Sequence, residues 1–106
     1  MTPLPHKNSI RITEYHKDSF IPGEMYYIEI HDWTFYTDKN MGFKLKARIL
    51  KGTPFMFLRV FTLTTKLNTK AEMIEVLYRD KILYHNLASV LENLSIEDNI
   101  LYMIQS

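Results

Sequence analysis

Three side chains with acid–base or metal-binding chemistry crowd into the stretch IEIHDW: Glu29, His31 and Asp32. In a regular strand, neighbouring side chains point to opposite faces, so His31 and Asp32 do not share a site, whereas Glu29 and His31 do. Two ligands fall short of the set a zinc site uses, and His6, His16 and His85 stand at no metal-ligand spacing. A partly exposed histidine beside a strand irregularity is the plainer reading. The second cluster is basic. Lys44, Lys46 and Arg48 alternate along FKLKARIL, and Trp33 and Phe35 precede them. Cations beside aromatic rings suit a phosphate backbone with stacked bases, so a small nucleic-acid-binding β protein is one reading. The same residues describe a solvated edge strand on which lysines oppose aggregation. They also describe an edge that accepts a partner's strand through backbone bonds. No Ser-His-Asp order, paired-carboxylate motif, phosphate-binding glycine loop or dinucleotide fingerprint occurs. No catalytic residue, cofactor or metal is therefore expected, and the protein is expected not to be an enzyme.

The chain that must position these groups has 106 residues, the size of one domain. Hydrophobic residues make up 46% and charged residues 24%, enough for a packed core. The net charge of +1 gives no global pull toward nucleic acid or an anionic membrane. The absence of cysteine excludes disulfides and thiolate metal sites and fits an intracellular protein. No apolar run is long enough to span a bilayer, and the N-terminal MTPLPHKNSI has no secretory h-region, so no membrane association is expected.

Residues 1–22 read as an extended arm, because Pro3, Pro5 and Pro22 each disfavour helix before them, and the domain occupies 23–106. Within the arm, SIRITEY alternates enough for one short strand. Glu24–Thr37 is rich in β-branched and aromatic residues and reads as a strand. Its phase breaks midway, which a bulge near His31–Asp32 or burial on both sides would explain. Phe43–Leu50 has the cleanest period of two, with Phe43, Leu45, Ala47 and Ile49 inward and the basic residues outward. The two segments make a hairpin. The next run, TPFMFLRVFTLTT, is a third strand by composition. Thr53 as an N-cap, Pro54 at the first helical position, and Leu58, Phe61 and Thr65 at i, i+3 and i+7 favour helix instead. Residues 69–93 fit one helical stripe, or a strand Met73–Tyr78, a turn Arg79–Lys81, a short strand Ile82–Tyr84 and a helical turn around Ala88–Leu91. A last strand, Asn99–Ile104, closes either version.

The second version carries a resemblance. A hairpin, a Thr-Pro helix, the strand–turn–strand IEVLYRDKIL, a small helical turn and a closing apolar strand follow the order of a ubiquitin-like domain. Leu58-Arg59 with Phe61, followed by Ile74–Leu83, is similar to the RAWUL domain of the Polycomb-group RING-finger proteins. The resemblance implies an α+β, ubiquitin-like β-grasp fold. It also implies a nuclear, chromatin-associated scaffold that docks a protein in a Polycomb-type repressive assembly. Without cysteine there is no RING finger, and the closing MIQS lacks the diglycine of a conjugated modifier, so neither ligase nor tag activity is expected.

A ubiquitin-like sheet would put Phe43–Leu50 at an edge, where Lys44, Lys46 and Arg48 would flank a docked strand from a homo- or heterodimeric partner. It would also make the strand of Leu77 a neighbour of the last strand. Leu77, Leu101 and Met103 would then form an outward apolar patch, the usual mark of a contact surface.

Overall fold

The computed structural model describes residues 8–40 and 46–105. Its elements are β1 (Ser9–Arg11), a 3-10 turn (Lys17–Ser19), β2 (Met25–Ile28), β3 (Trp33–Tyr36), β4 (Lys46–Ile49), β5 (Phe55–Thr64), β6 (Lys70–Tyr78), β7 (Lys81–Asn86), α1 (Leu87–Ser95) and β8 (Leu101–Ile104). The strands form one eight-stranded sheet in the order β1-β8-β2-β5-β6-β7-β3-β4, and every neighbouring pair is antiparallel.

This corrects the expected ubiquitin-like β-grasp. That fold lays a helix on the sheet after its first hairpin. Here the described residues are 47% strand and 13% helix, and α1 comes late, between β7 and β8. Thr53 and Pro54, expected to open a helix, instead precede β5, the longest strand. Pro54 stands just ahead of the ladder, where no N–H is needed. Phe55 and Phe57 alternate into the core, and the Phe, Val and Thr content of FMFLRVFTLT suits a pleated surface better than a helix. The pairing passes from Phe57↔Val76 to Arg59↔Glu75, so Leu58 is an extra residue in a bulge. That one-residue phase shift is what gives Leu58, Phe61 and Thr65 a helix-like spacing inside a strand.

Glu24–Thr37 is likewise not one irregular strand. β2 ends at Ile28, β3 begins at Trp33, and β5, β6 and β7 lie between them in the sheet. Four inter-strand steps across a flat sheet would be about 19 Å. Five residue steps reach at most about 18 Å when fully extended. The crossover therefore requires a curled sheet, and the contacts show one. The rings of Trp33 and Phe55 are 6.1 Å apart, Gly52 N–H donates to the Ile28 carbonyl at 2.7 Å, and Leu50 N–H donates to Tyr78 Oη at 3.2 Å. Asn99, buried on the α1–β8 connection, fastens the crossover from the other side. Its Oδ1 accepts from Ile30 N–H at 3.0 Å, and its Nδ2 donates to the His31 carbonyl at 2.8 Å.

The strand–turn–strand reading of Ile74–Leu83 does describe the molecule. β6 and β7 are joined by Arg79 and Asp80, both at positive φ (48° and 67°), as a two-residue turn matched to strand twist requires. The concave face of the curl is the core, with Tyr26, Phe55, Ile74, Val76, Leu83 and Leu101 fully buried. Helix α1 closes it with Leu87, Val90 and Leu94, an i, i+3, i+7 stripe whose burial contributes about 1.5–3 kcal/mol per side chain. Asn86 caps the helix by accepting from Ser89 N–H, and Asn93 accepts from Trp33 Nε1 at 2.9 Å.

Candidate interaction face

Alternation along each strand decides what the convex face shows. Tyr26, Phe55, Phe57, Val76, Tyr78 and Leu83 point into the core, so their chain neighbours Met25, Met56, Leu77 and Ile82 point outward. The cross-strand register joins these into a line: Ile104 opposite Met25, Met25 opposite Met56, Met56 opposite Leu77, and Leu77 opposite Ile82. Five apolar side chains on five adjacent strands thus form one transverse row on the solvent side. Ile82 is 46% exposed and the other four are half-buried.

The borders of the row are aromatic and charge-balanced. On one side Tyr27 and Tyr102 stack with rings 5.1 Å apart and 9° between planes. Burial, together with a hydrogen bond to Glu29, raises the Tyr102 hydroxyl above its ordinary pKa. Arg11 pairs beside Tyr102, and the turn residues Arg79 and Asp80 close the same side. On the other side Glu75, buried in the outer face, receives Arg59 through two hydrogen bonds, Nε at 3.2 Å and Nη2 at 3.3 Å. The carboxylate raises the pKa of the guanidinium. Arg59 also lies 4.6 Å over the Phe61 ring, and Phe61 meets Tyr84 edge-on at 6.0 Å. Burial first, and Glu75 second, raise the Tyr84 hydroxyl. Arg11 and Arg79 are thus set against Glu29 and Asp80, and Arg59 against Glu75.

The residues singled out in the sequence are distributed differently from expectation. Lys44, with Phe43 and Leu45, lies outside the described residues. Lys46 and Arg48 are exposed on β4, which is the outer strand of the sheet. Arg48 turns back to its own chain, with Nη2 2.6 Å from Asp32 Oδ2. Trp33 and Phe35 are buried beneath the sheet, so they give Lys46 and Arg48 no exposed stacking platform. Glu29 and His31 do not share a strand face, because both belong to the crossover after β2. Among the described residues, no three His, Asp or Glu side chains converge on a metal position.

Leu77 points outward as its alternation implies, but its expected companions do not join it. β6 and β8 are separated by β2 and β5. Leu101 is completely buried, and Met103 packs against the core. Ile104 is the β8 residue on the outer face. The actual companions of Leu77 are Met25, Met56, Ile82 and Ile104. Met56 and Leu77 are embedded in the apolar runs FMF and VLY, and Met25, Ile82 and Ile104 stand at the ends of MYYI, ILY and LYMI, runs in which period two is invisible.

A concavity of about 560 Å³ runs between Tyr15–Lys17 and α1. His16, Lys17, Lys70 and Glu72 line it together with the apolar Leu87 and Leu91. A smaller one, about 250 Å³, lies under Trp33, Phe35 and His85. His85 is half-buried, and burial lowers its pKa below the ordinary histidine value. Comparison with protein-family models, curated proteins and solved structures finds no match to the chain.

Proposed function

We propose that this protein is a non-enzymatic interaction module that receives a protein partner on the convex face of its curled sheet. One observation carries the reading: Ile104, Met25, Met56, Leu77 and Ile82 line up in register across five strands on the solvent side. Contiguous apolar surface of this kind is costly to leave in water and marks contact sites. Tyr102, half-buried and stacked on the buried Tyr27, adds a rigid ring of the sort that anchors interfaces. Because the bordering charges balance, area burial rather than charge attraction drives this association, and its affinity changes little with salt. The basic edge strand β4 is secondary here, since Arg48 is engaged by Asp32. The chromatin setting implied by the resemblance depended on a helix at Leu58–Phe61. That segment is β5, and the proposal rests on the outer face instead.

The test compares three immobilised proteins: wild type, Leu77→Asp with Ile82→Asp, and Lys46→Glu with Arg48→Glu. A partner retained by wild type and by the β4 variant, and reduced at least about tenfold by the row variant, is the expected result. Equal retention by the row variant refutes the reading. So does steep salt-dependent binding of single-stranded DNA that the β4 variant abolishes, which would restore the nucleic-acid alternative.

A further inference from the structure

The sheet has a third edge besides β1 and β4, and it lies in its middle. β2 pairs with β5 only at Tyr26↔Phe55 and Met25↔Met56, and the last bonds on that side join Phe57 to Glu24 and Gly23. After the Leu58 bulge, β5 runs on to Thr64 with β6 on one flank. Thr65 N–H donates to the Thr69 carbonyl at 2.8 Å. Antiparallel strands alternate the side to which backbone groups turn, so Leu63 and Phe61 bond to β6 in step with Thr65. Val60, Thr62 and Thr64 then turn their N–H and C=O groups to the open flank. Among the described residues, no backbone hydrogen bond reaches them there.

Edges are ordinarily guarded by shortness, charge, proline or cover. β1 is guarded by its three residues and β4 by Lys46 and Arg48. The stretch Val60-Phe61-Thr62-Leu63-Thr64 is bordered at its Val60 end by Lys17, Asp18 and Phe20 across a hollow of about 290 Å³, and it is uncovered at Thr62 and Thr64, which are exposed. It holds no charge and no proline, and it ends in a hairpin tip whose Leu67 is 86% exposed.

We infer that this edge pairs with the same edge of a second copy, antiparallel about a twofold axis at Thr62. In that register Val60 faces the copy's Thr64, Phe61 faces its Leu63, and Thr62 faces itself. The three outward-turned residues meet their own kind, which completes about six backbone hydrogen bonds. The side-chain pairs are Phe61–Leu63, which is wholly apolar, Val60–Thr64, and Thr62–Thr62, a pair that is favourable across strands. Arg59 and Lys66 fall opposite Thr65 and Leu58, so no like charges meet. β4 fails the same test. Every register that keeps its two faces matched and overlaps Lys46 and Arg48 sets one cation opposite another, which is unfavourable. Self-complementarity is what a twofold interface demands, and it selects a second copy over an unrelated strand. The contact stands apart from the outer-face row, so either can fail without the other.

The whole chain serves for the test, since it has no cysteine of its own. Sedimentation from micromolar to about millimolar concentration is expected to show a monomer–dimer equilibrium. Thr62→Cys is expected to cross-link under mild oxidation, because an antiparallel hydrogen-bonded pair has a Cα separation within disulfide range. Phe61→Cys alone is expected not to, but to cross-link when mixed with Leu63→Cys. Thr62→Lys and Thr62→Glu are each expected to weaken association at least about tenfold and to pair when mixed, with unchanged urea unfolding certifying their fold. A monomer at every concentration overturns the inference. So does a dimer indifferent to Thr62→Lys, or cross-linking by Phe61→Cys and not by Thr62→Cys.

Discussion

Asn99 is the buried polar residue that ties the α1–β8 connection to the β2–β3 crossover. It is 1% exposed, and its amide holds the backbone of the crossover between β2 and β3. Oδ1 accepts from Ile30 N–H at 3.0 Å and, at a longer 3.4 Å, from His31 N–H, while Nδ2 donates to the His31 carbonyl at 2.8 Å. Asn99→Ala removes both sides of this exchange at once. Each backbone group left without its partner costs about 1–3 kcal/mol when buried, and water recovers part of that because Ile30 and His31 themselves reach the surface. Ile100 N–H also donates to Oδ1 at 3.1 Å, so three bonds of ordinary length are at stake, and the expected loss is about 2–4 kcal/mol. Equilibrium unfolding in urea measures it directly. For a chain of this size the midpoint should fall by roughly 2 M. Amide exchange at Ile30 and His31 should accelerate by more than at the β6–β7 ladder. Asn99→Asp is a sharper probe. The carboxylate keeps an acceptor toward Ile30 but sets a charged oxygen against the His31 carbonyl, so its cost should equal or exceed that of alanine at neutral pH and shrink as the carboxyl protonates. A loss below about 0.5 kcal/mol for alanine, or unchanged exchange at Ile30, would refute the reasoning, because the crossover would then be held by the curl of the sheet alone.

Two further perturbations test other parts of the fold. His85 is held neutral by burial and accepts from Asn86 N–H at Nδ1, so its folded pKa lies below its unfolded value near 6.5. The unfolded chain therefore takes the proton first as pH falls. The stabilisation is complete above about pH 6.5 and is lost on acidification through the folded pKa, with a slope of at most about 1.4 kcal/mol per pH unit. His85→Gln should flatten that slope in urea unfolding measured from pH 7.5 to 5, and an unchanged slope would assign it elsewhere. Glu97 ends α1 at φ 58°, with its N–H on the Leu94 carbonyl and Asp98 N–H on the Asn93 carbonyl, the arrangement that glycine normally fills. Glu97→Gly should raise stability by about 0.5–1 kcal/mol in the same assay, and a loss would mean that the Glu97 side chain has a role outside the cap.

How much of this was legible in the sequence depended on whether polar residues interrupt the apolar ones. FKLKARIL alternates, and β4 duly exposes Lys46 and Arg48 and buries Ile49. IEVLYRDKIL breaks its apolar run with Arg79-Asp80, and the break is the turn. NILYMI has no polar punctuation, so nothing in it says which residues face inward. The expectation placed Leu101 and Met103 outside, whereas Leu101 is core and the outward residues are Tyr102 and Ile104. The neighbours of Leu77 were hidden for a related reason. Membership of the row follows from which strands are adjacent, and adjacency follows from the curl that lets four residues carry the chain from β2 to β3. No local pattern encodes a relation between Met25, Met56 and Ile82.

Leu58 ties the misread helix to the two surfaces. As the extra residue opposite the Val76–Glu75 step, it bends β5, tightens its twist and moves the inward positions from Phe55 and Phe57 before it to Val60 after it. Before it, Phe57 directs both backbone groups to Glu24 and Gly23, and Met56 takes its place in the outer row. After it, the strand has left β2. Arg59 and Phe61 continue the outer face, and Val60, Thr62 and Thr64 are left with an open flank. A regular β5 would run on alongside the chain that leads into β2, and its edge would have a neighbour there. The same inserted residue therefore ends the β2–β5 pairing, separates the apolar row from the free edge, and gives Leu58, Phe61 and Thr65 the spacing that imitates a helix.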